Sequence, residues 1–216
     1  MSELIDKTEK PQTFTDWMRV TFKDVLDPIG AFLNRLGLMP NTLTLIGVLG
    51  NALGAFFLMR GQMLVGGVII LLMGPIDALD GTMARLRGEP SAFGAFVDSV
   101  SDRYSELVIY LGLLLYYLQR GDWLLAGLVY LAAAGSVLVS YVRARGEALG
   151  YEAKVGLLTR LERYIVLAPS LVFNIPHIGV GIIAVLANVT ALQRIVYVRR
   201  QAHAQMKAKE RGRSEA

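Results

Sequence analysis

The sequence predicts an all-α integral membrane protein: six transmembrane helices preceded by an N-terminal amphipathic interfacial helix. Three observations predict it. Hydrophobic residues make up 54% of the 216, and the mean hydropathy is +0.46, more apolar than an ordinary soluble domain. Apolar runs near the ~20 residues that a hydrocarbon core demands of a helix recur along the chain. The basic residues also segregate. Of 22 Lys and Arg, all but Arg60 and Arg120 lie in the N-terminus, the 85–91 and 145–160 loops with their helix ends, or the C-terminal tail.

The elements follow in order. Residues 1–16 are polar and mixed in charge, without the basic-then-apolar pattern of a cleaved signal peptide. From 13 to 37, Phe14, Trp17, Met18, Val20, Phe22, Val25 and Leu26 alternate with Arg19, Lys23 and Asp24. Pro28 interrupts, and Phe32, Leu33 and Leu36 follow, which predicts one or two amphipathic helices in the interface. The spans are expected at 42–59, 63–84, 92–118, 123–144, 161–176 and 178–198. The third carries Asp98, Asp102, Arg103 and Glu106 early and is apolar afterwards. The fifth is short and holds Pro169.

The plan is therefore a cytoplasmic N-terminus with its juxtamembrane helix (1–41), a six-helix domain (42–200) and a basic, solvated or frayed cytoplasmic tail (201–216). The distribution of Lys and Arg puts both termini in the cytoplasm, by the positive-inside rule. The lack of cysteine excludes thiolate metal sites, disulfides and cysteine nucleophiles.

Chemistry concentrates in the second and third spans. Asp77 and Asp80 are three apart, Asp98 and Asp102 four apart, so each pair shares a helix face. A carboxylate at membrane depth costs roughly 3 kcal/mol or more and needs a partner or a task. Gly81, Gly88, Pro90 and Gly94 allow the chain to turn back, so the two spans form a hairpin that unites the pairs. Four carboxylates at one point repel strongly, and a divalent cation relieves that. Oxygen ligands without His or Cys favour Mg²⁺, Mn²⁺ or Ca²⁺ over zinc. Gly81 and Gly94 leave room for a ligand at the backbone. Arg85 offers a fork of donors to a phosphate oxygen. Metal and arginine together are the equipment of phosphoryl transfer. The competing reading, a salt-bridge cluster with Arg85, Arg87 and Arg103, leaves the spaced glycines and the small Ala84 unexplained.

The order Asp77-x2-Asp80-Gly81-x2-Ala84-Arg85-x8-Gly94-x3-Asp98-x3-Asp102 resembles the signature of the CDP-alcohol phosphotransferases at all eight positions. That resemblance implies that Asp77, Asp80 and Asp98 hold two Mg²⁺ ions, with Mn²⁺ as the alternative. Asp102 would be partly shared and would serve as general base on the acceptor hydroxyl. It implies that Gly81, Ala84, Arg85 and Gly94 line the CDP-lipid site. Pro40-Asn41-Thr42-Leu43-Thr44 resembles the family's segment near the cytidine, and Ser91 stands where a small hydroxyl residue lies by the nucleotide.

A second stretch bears on the acceptor. Ser140-Tyr141-Val142-Arg143-Ala144-Arg145-Gly146-Glu147, followed by Arg160-Leu161-Glu162-Arg163, resembles the phosphatidylinositol-phosphate synthase subgroup. Arg143 stands where a lysine is commoner, and Gly146 where alanine is. Arg143, Arg163 and Arg194 fall within or beside apolar spans and match that subgroup's pocket for a phosphorylated alcohol. Arg145, Lys154 and Arg160 read equally well as topology anchors. The implied reaction takes CDP-diacylglycerol and inositol 1-phosphate (myo-inositol 3-phosphate) to phosphatidylinositol phosphate and CMP. Glycerol 3-phosphate is the next acceptor, and an archaetidylinositol-phosphate-synthase-like enzyme the next relative. A cation transporter is disfavoured, because the aspartates lie toward one face and no inverted repeat is visible. The partners implied are CDP-diacylglycerol, a phosphorylated polyol, the lipid bilayer and a second copy in a homodimer, with no nucleic acid.

Overall fold

Seven helices account for the computed structural model, which describes residues 14–88 and 91–214: α1 Phe14–Arg35, α2 Pro40–Met59, α3 Met63–Leu86, α4 Ala92–Gln119, α5 Trp123–Ala148, α6 Arg160–Val172 and α7 Pro176–Ser214. The polar segment 1–13 and Pro90 of the expected turn lie outside the described residues.

Local chemistry sets the boundaries. Pro40 opens α2, where its missing N–H is one of the first-turn donors left unpaired in any case. Ser91 caps α4, its Oγ accepting from Gly94 N at 2.9 Å. Asp122 caps α5 through Leu125 N at 3.1 Å. The tight α2–α3 and α4–α5 turns place Gly61 and Gly121 at φ 78° and 70°, where a side chain is strained. Of the one or two helices expected before the first span, one forms, running through Pro28. It packs on α3, with Gly30 against Thr82 and Leu86 and Asn34 Nδ2 donating to Met83 O at 3.2 Å.

Among the described residues, α2, α3, α5 and α7 are long and apolar enough to cross a membrane. α4 is long, but charged residues occupy its first half. α6 has 13 residues, about 20 Å at 1.5 Å per residue, against a core of ~30 Å. The tail expected to be solvated or frayed is not frayed: α7 continues without a break to Ser214, with residues 203–207 exposed.

The expected α3–α4 hairpin does not close on itself. α2 packs against both α3 and α4, whereas α3 and α4 are not among the closely packed helix pairs. The reason is a stripe of small residues on α2. Gly54 meets Gly66 O and Ile70 of α3, and the backbone of Ala55 meets Gly112 of α4. Small residues let backbones approach, which drives helix association where lipid removes the hydrophobic incentive. α5 packs on α7 and α4, and α6 bridges α3 and α7. The main core is built from Leu58, Ile70, Leu113, Val129, Leu171, Ile183 and their neighbours. Leu45, Leu64, Leu124 and Val185 face outward.

Candidate active site

The start of α2, the end of α3 and the starts of α4 and α6 meet around the aspartates. Asp80 is buried, its Oδ2 accepting from Thr44 Oγ1 at 2.6 Å and its Oδ1 from Gly81 N. The α2 segment beginning at Pro40 is thereby fastened to α3, with Asn41 and Thr42 exposed beside it. Asp77 lies against Gly47, where a Cβ would collide with its carboxylate. Asp98 is half-buried on α4 and repels Asp77, Asp80 and Asp102 alike, so all four charges share one field.

Arg160, at the first position of α6, joins the two helices that do not pack together. Its Nη2 donates to Asp77 Oδ2 at 2.7 Å and its Nη1 to Asp102 Oδ2 at 2.6 Å. Arg103 approaches the same Asp102 oxygen at 3.3 Å. Ion pairing therefore exists here, but through Arg160 rather than Arg85 or Arg87. Arg85 is exposed and bonds Thr82 Oγ1 at 2.9 Å. Arg87 is turned away, toward Asn34 Oδ1 and Leu38 O. Gly81 and Ala84 are partly open, and a Cβ at Gly81 would meet only Arg85. Gly94 and Ser91 are tied to each other by the α4 cap.

The donors fit a hard divalent cation: four carboxylates in one field, with a guanidinium already drawn between two of them. Among the described residues, no three are gathered closely enough around one point to hold an ion.

Beneath the aspartates is a cavity of about 40 Å³, lined by Asn51, Asp77, Asp102, Glu106, Arg160 and Tyr164, among others. That is room for one or two waters. Asn51 Oδ1 is buried on its wall with no hydrogen-bond partner among the described residues. Arg163 is 2% exposed and forks onto Glu106, with Nε–Oε1 at 2.6 Å and Nη2–Oε2 at 2.9 Å. Arg194, also buried, donates to Val139 O and Val155 O at 2.6 and 2.8 Å, neutral acceptors, with no carboxylate in direct contact among the described residues. Arg143 pairs with Glu147 at 2.9 Å in a half-exposed bridge. Arg143 and Arg163 both repel Arg194, so the three guanidinium groups lie within electrostatic reach, each held by a different partner.

Tyr164 is the further residue that sequence reasoning passed over. Pro75 supplies no N–H to Leu71 O, and the Tyr164 hydroxyl lies 2.8 Å from both Leu71 O and Ile70 O while accepting from Gly74 N at 3.1 Å. It satisfies the broken ladder of α3 two residues before Asp77. Arg160, Arg163, Tyr164 and Leu167 follow one another at helical spacing, the signal by which a single inward face of α6 can be read.

A family model described as CDP-alcohol phosphatidyltransferase matches residues 37–205, spanning every element of this site. The chain belongs to that family. Phosphatidylinositol phosphate synthase of Streptomyces avermitilis is 40% identical over 204 residues, covering 86% of this chain and 82% of its own. Archaetidylinositol phosphate synthase of Pyrococcus horikoshii is 40% identical over 181 residues, covering 82% and 93%. The crystal structure of Mycobacterium tuberculosis phosphatidylinositol phosphate synthase with CDP-DAG bound is similar at TM-score 0.76 and 29% identity, over 81% of this chain and 94% of that one. The same protein in complex with manganese and citrate gives 0.75 and 29%, over 80% and 88%. The enzyme is therefore a phosphatidyltransferase, and the eight signature residues fall on α3 and α4.

Proposed function

We propose that the enzyme transfers the phosphatidyl group of CDP-diacylglycerol to inositol 1-phosphate (myo-inositol 3-phosphate), giving phosphatidylinositol phosphate and CMP. One observation carries this: 40% identity across most of both chains to a phosphatidylinositol phosphate synthase, in a chain that carries the four aspartates and the three arginines. The archaetidylinositol phosphate synthases share the inositol phosphate head in their name, so the acceptor reading survives whichever lipid is used.

Asp77, Asp80 and Asp98 would hold two Mg²⁺ ions, with Mn²⁺ able to replace them, and Asp102 would be partly shared. Bound divalent ions supply neutralisation of the diphosphate and of the charge developing on CMP. Asp102 takes the proton of the attacking hydroxyl, and its placement matters more than its strength as a base. Pro40, Asn41, Thr42, Thr44, Gly81, Ala84, Arg85, Ser91 and Gly94 line the CDP-lipid site. Thr44 holds Asp80 in register with that segment, and exposed Arg85 is free to swing onto a phosphate oxygen. Arg143, Arg163 and Arg194 bind the acceptor's phosphate, with Arg194 favoured because its guanidinium is held by carbonyls rather than by a carboxylate.

The six helices from α2 to α7 make up the membrane domain, with α1 in the interface and α4 and the short α6, which does not reach across the core alone, sheltered by their more apolar neighbours. The termini and the site face the cytoplasm, the side rich in Lys and Arg. The enzyme works as a homodimer. The domain plan is a juxtamembrane segment to residue 41, a six-helix domain over 42–200 and a basic cytoplasmic extension beyond it.

The test is an acceptor panel. Purified enzyme is incubated with Mg²⁺, labelled CDP-diacylglycerol and, separately, inositol 1-phosphate, glycerol 3-phosphate, inositol and serine. Labelled phosphatidylinositol phosphate should form with the first alone. Product from glycerol 3-phosphate alone overturns the acceptor assignment.

A further inference from the structure

Arg160 occupies an unfavourable position for a cation. It is the first residue of α6, where the helix dipole presents partial positive charge. What holds it is the pair of oxygens across from it: Asp77 Oδ2 on α3 and Asp102 Oδ2 on α4. Its side chain remains 37% exposed, so a route to solvent is open. The chain before it, 151–159, is not helical, so the helix start is tethered by a segment without a repeating hydrogen-bond ladder.

We propose that Arg160 is a displaceable internal counter-cation. Its guanidinium competes with divalent cations for the Asp77 and Asp102 carboxylates and must leave them before Asp102 acts as a base. The inference rests on the reading of these aspartates as metal ligands. A metal ion bound by the same carboxylates would compete with the guanidinium for their negative charge. A dication and a guanidinium a few ångströms apart repel strongly, so the two positions exclude each other. Once displaced, Arg160 leaves through its exposed side. Without metal it keeps the repulsion between Asp77, Asp98 and Asp102 from driving α3 and α4 apart.

The sign of the effect separates this role from a structural one. Loss of a merely structural contact loosens the site and weakens metal binding, whereas loss of a competitor tightens it. The experiment is a Mn²⁺ titration of the detergent-solubilised full-length protein without nucleotide, free Mn²⁺ being read by electron paramagnetic resonance. Arg160→Gln should lower the Kd for Mn²⁺ by about tenfold, a typical coupling between two sites. Arg160→Lys keeps the charge without the two-pronged fork and should fall between wild type and Arg160→Gln; where the glutamine variant does not fold, the lysine variant alone should still bind Mn²⁺ more tightly than wild type. An unchanged or raised Kd in the folded variants overturns the proposal and leaves the metal reading intact. If folded wild-type protein and variants all fail to bind Mn²⁺, the metal reading falls and the proposal with it.

Discussion

The two ends of this bundle are held together by opposite means. Around Gly54, Gly66, Ala55 and Gly112, α2 touches α3 and α4 backbone to backbone, and apolar side chains fill what remains. Around Asp77, Asp80, Asp98 and Asp102, the same helices carry like charges and, among the described residues, are joined through side chains from α2 and α6. The packed end excludes ligands by leaving no space. The charged end leaves α3 and α4 unpaired so that something else can lie between them. Stability and chemistry are thus assigned to different levels of the same helices.

Three substitutions probe that division. The largest effect should come from the charged end. Asp102→Asn removes the base while keeping size and hydrogen-bonding capacity, and CMP release should fall by about a thousandfold with the thermal midpoint of the detergent-solubilised enzyme little changed. Unchanged CMP release sinks the base assignment. At the packed end, Gly112→Val forces branched carbon onto the Ala55 backbone and should cost about 1–3 kcal/mol of stability. The folded fraction that survives should turn over at nearly the wild-type rate, measured as activity per mole of properly folded protein. The smallest effect, and the one that touches both ends, belongs to Tyr164→Phe. Losing the hydroxyl that repairs α3 at Pro75 should cost about 1 kcal/mol and lower turnover several-fold, because Asp77 begins the next turn. A stability loss with turnover intact separates the break in α3 from the site.

The sequence was legible where spacing itself is the constraint. The aspartates, Gly81 and Gly94 are fixed by helical periodicity along one chain, and the apolar runs located all six later helices, matching both ends to within about two residues in α2, α3 and α4, while α5 and α7 run on past the expected ends. The short fifth run ended later in expectation than α6 does, because Asn174 at φ 58° closes the helix and apolarity alone does not register a turn. The wedge of α2 was harder. Adjacent spans suggest a hairpin, and only the small residues on two faces of α2 signal that it lies between them. Arg160 was least legible of all. Hydropathy gives its depth at a helix end, which suits a topology anchor equally well. The direction of its bond depends on α6 facing α3 and α4, a relation between segments far apart in the chain. Tyr164 was hidden for the same reason, its partner being the peptide chain around Pro75.

The separation of α3 and α4 has one more consequence. A molecule that grips both carboxylate pairs acts as a cross-brace between two helices that, among the described residues, do not pack closely on each other. Occupancy and rigidity become a single thermodynamic quantity, since whatever binds the assembled arrangement better than the splayed one shifts the population toward it. The reactants are then temporary structural members, and each turnover removes and replaces a strut.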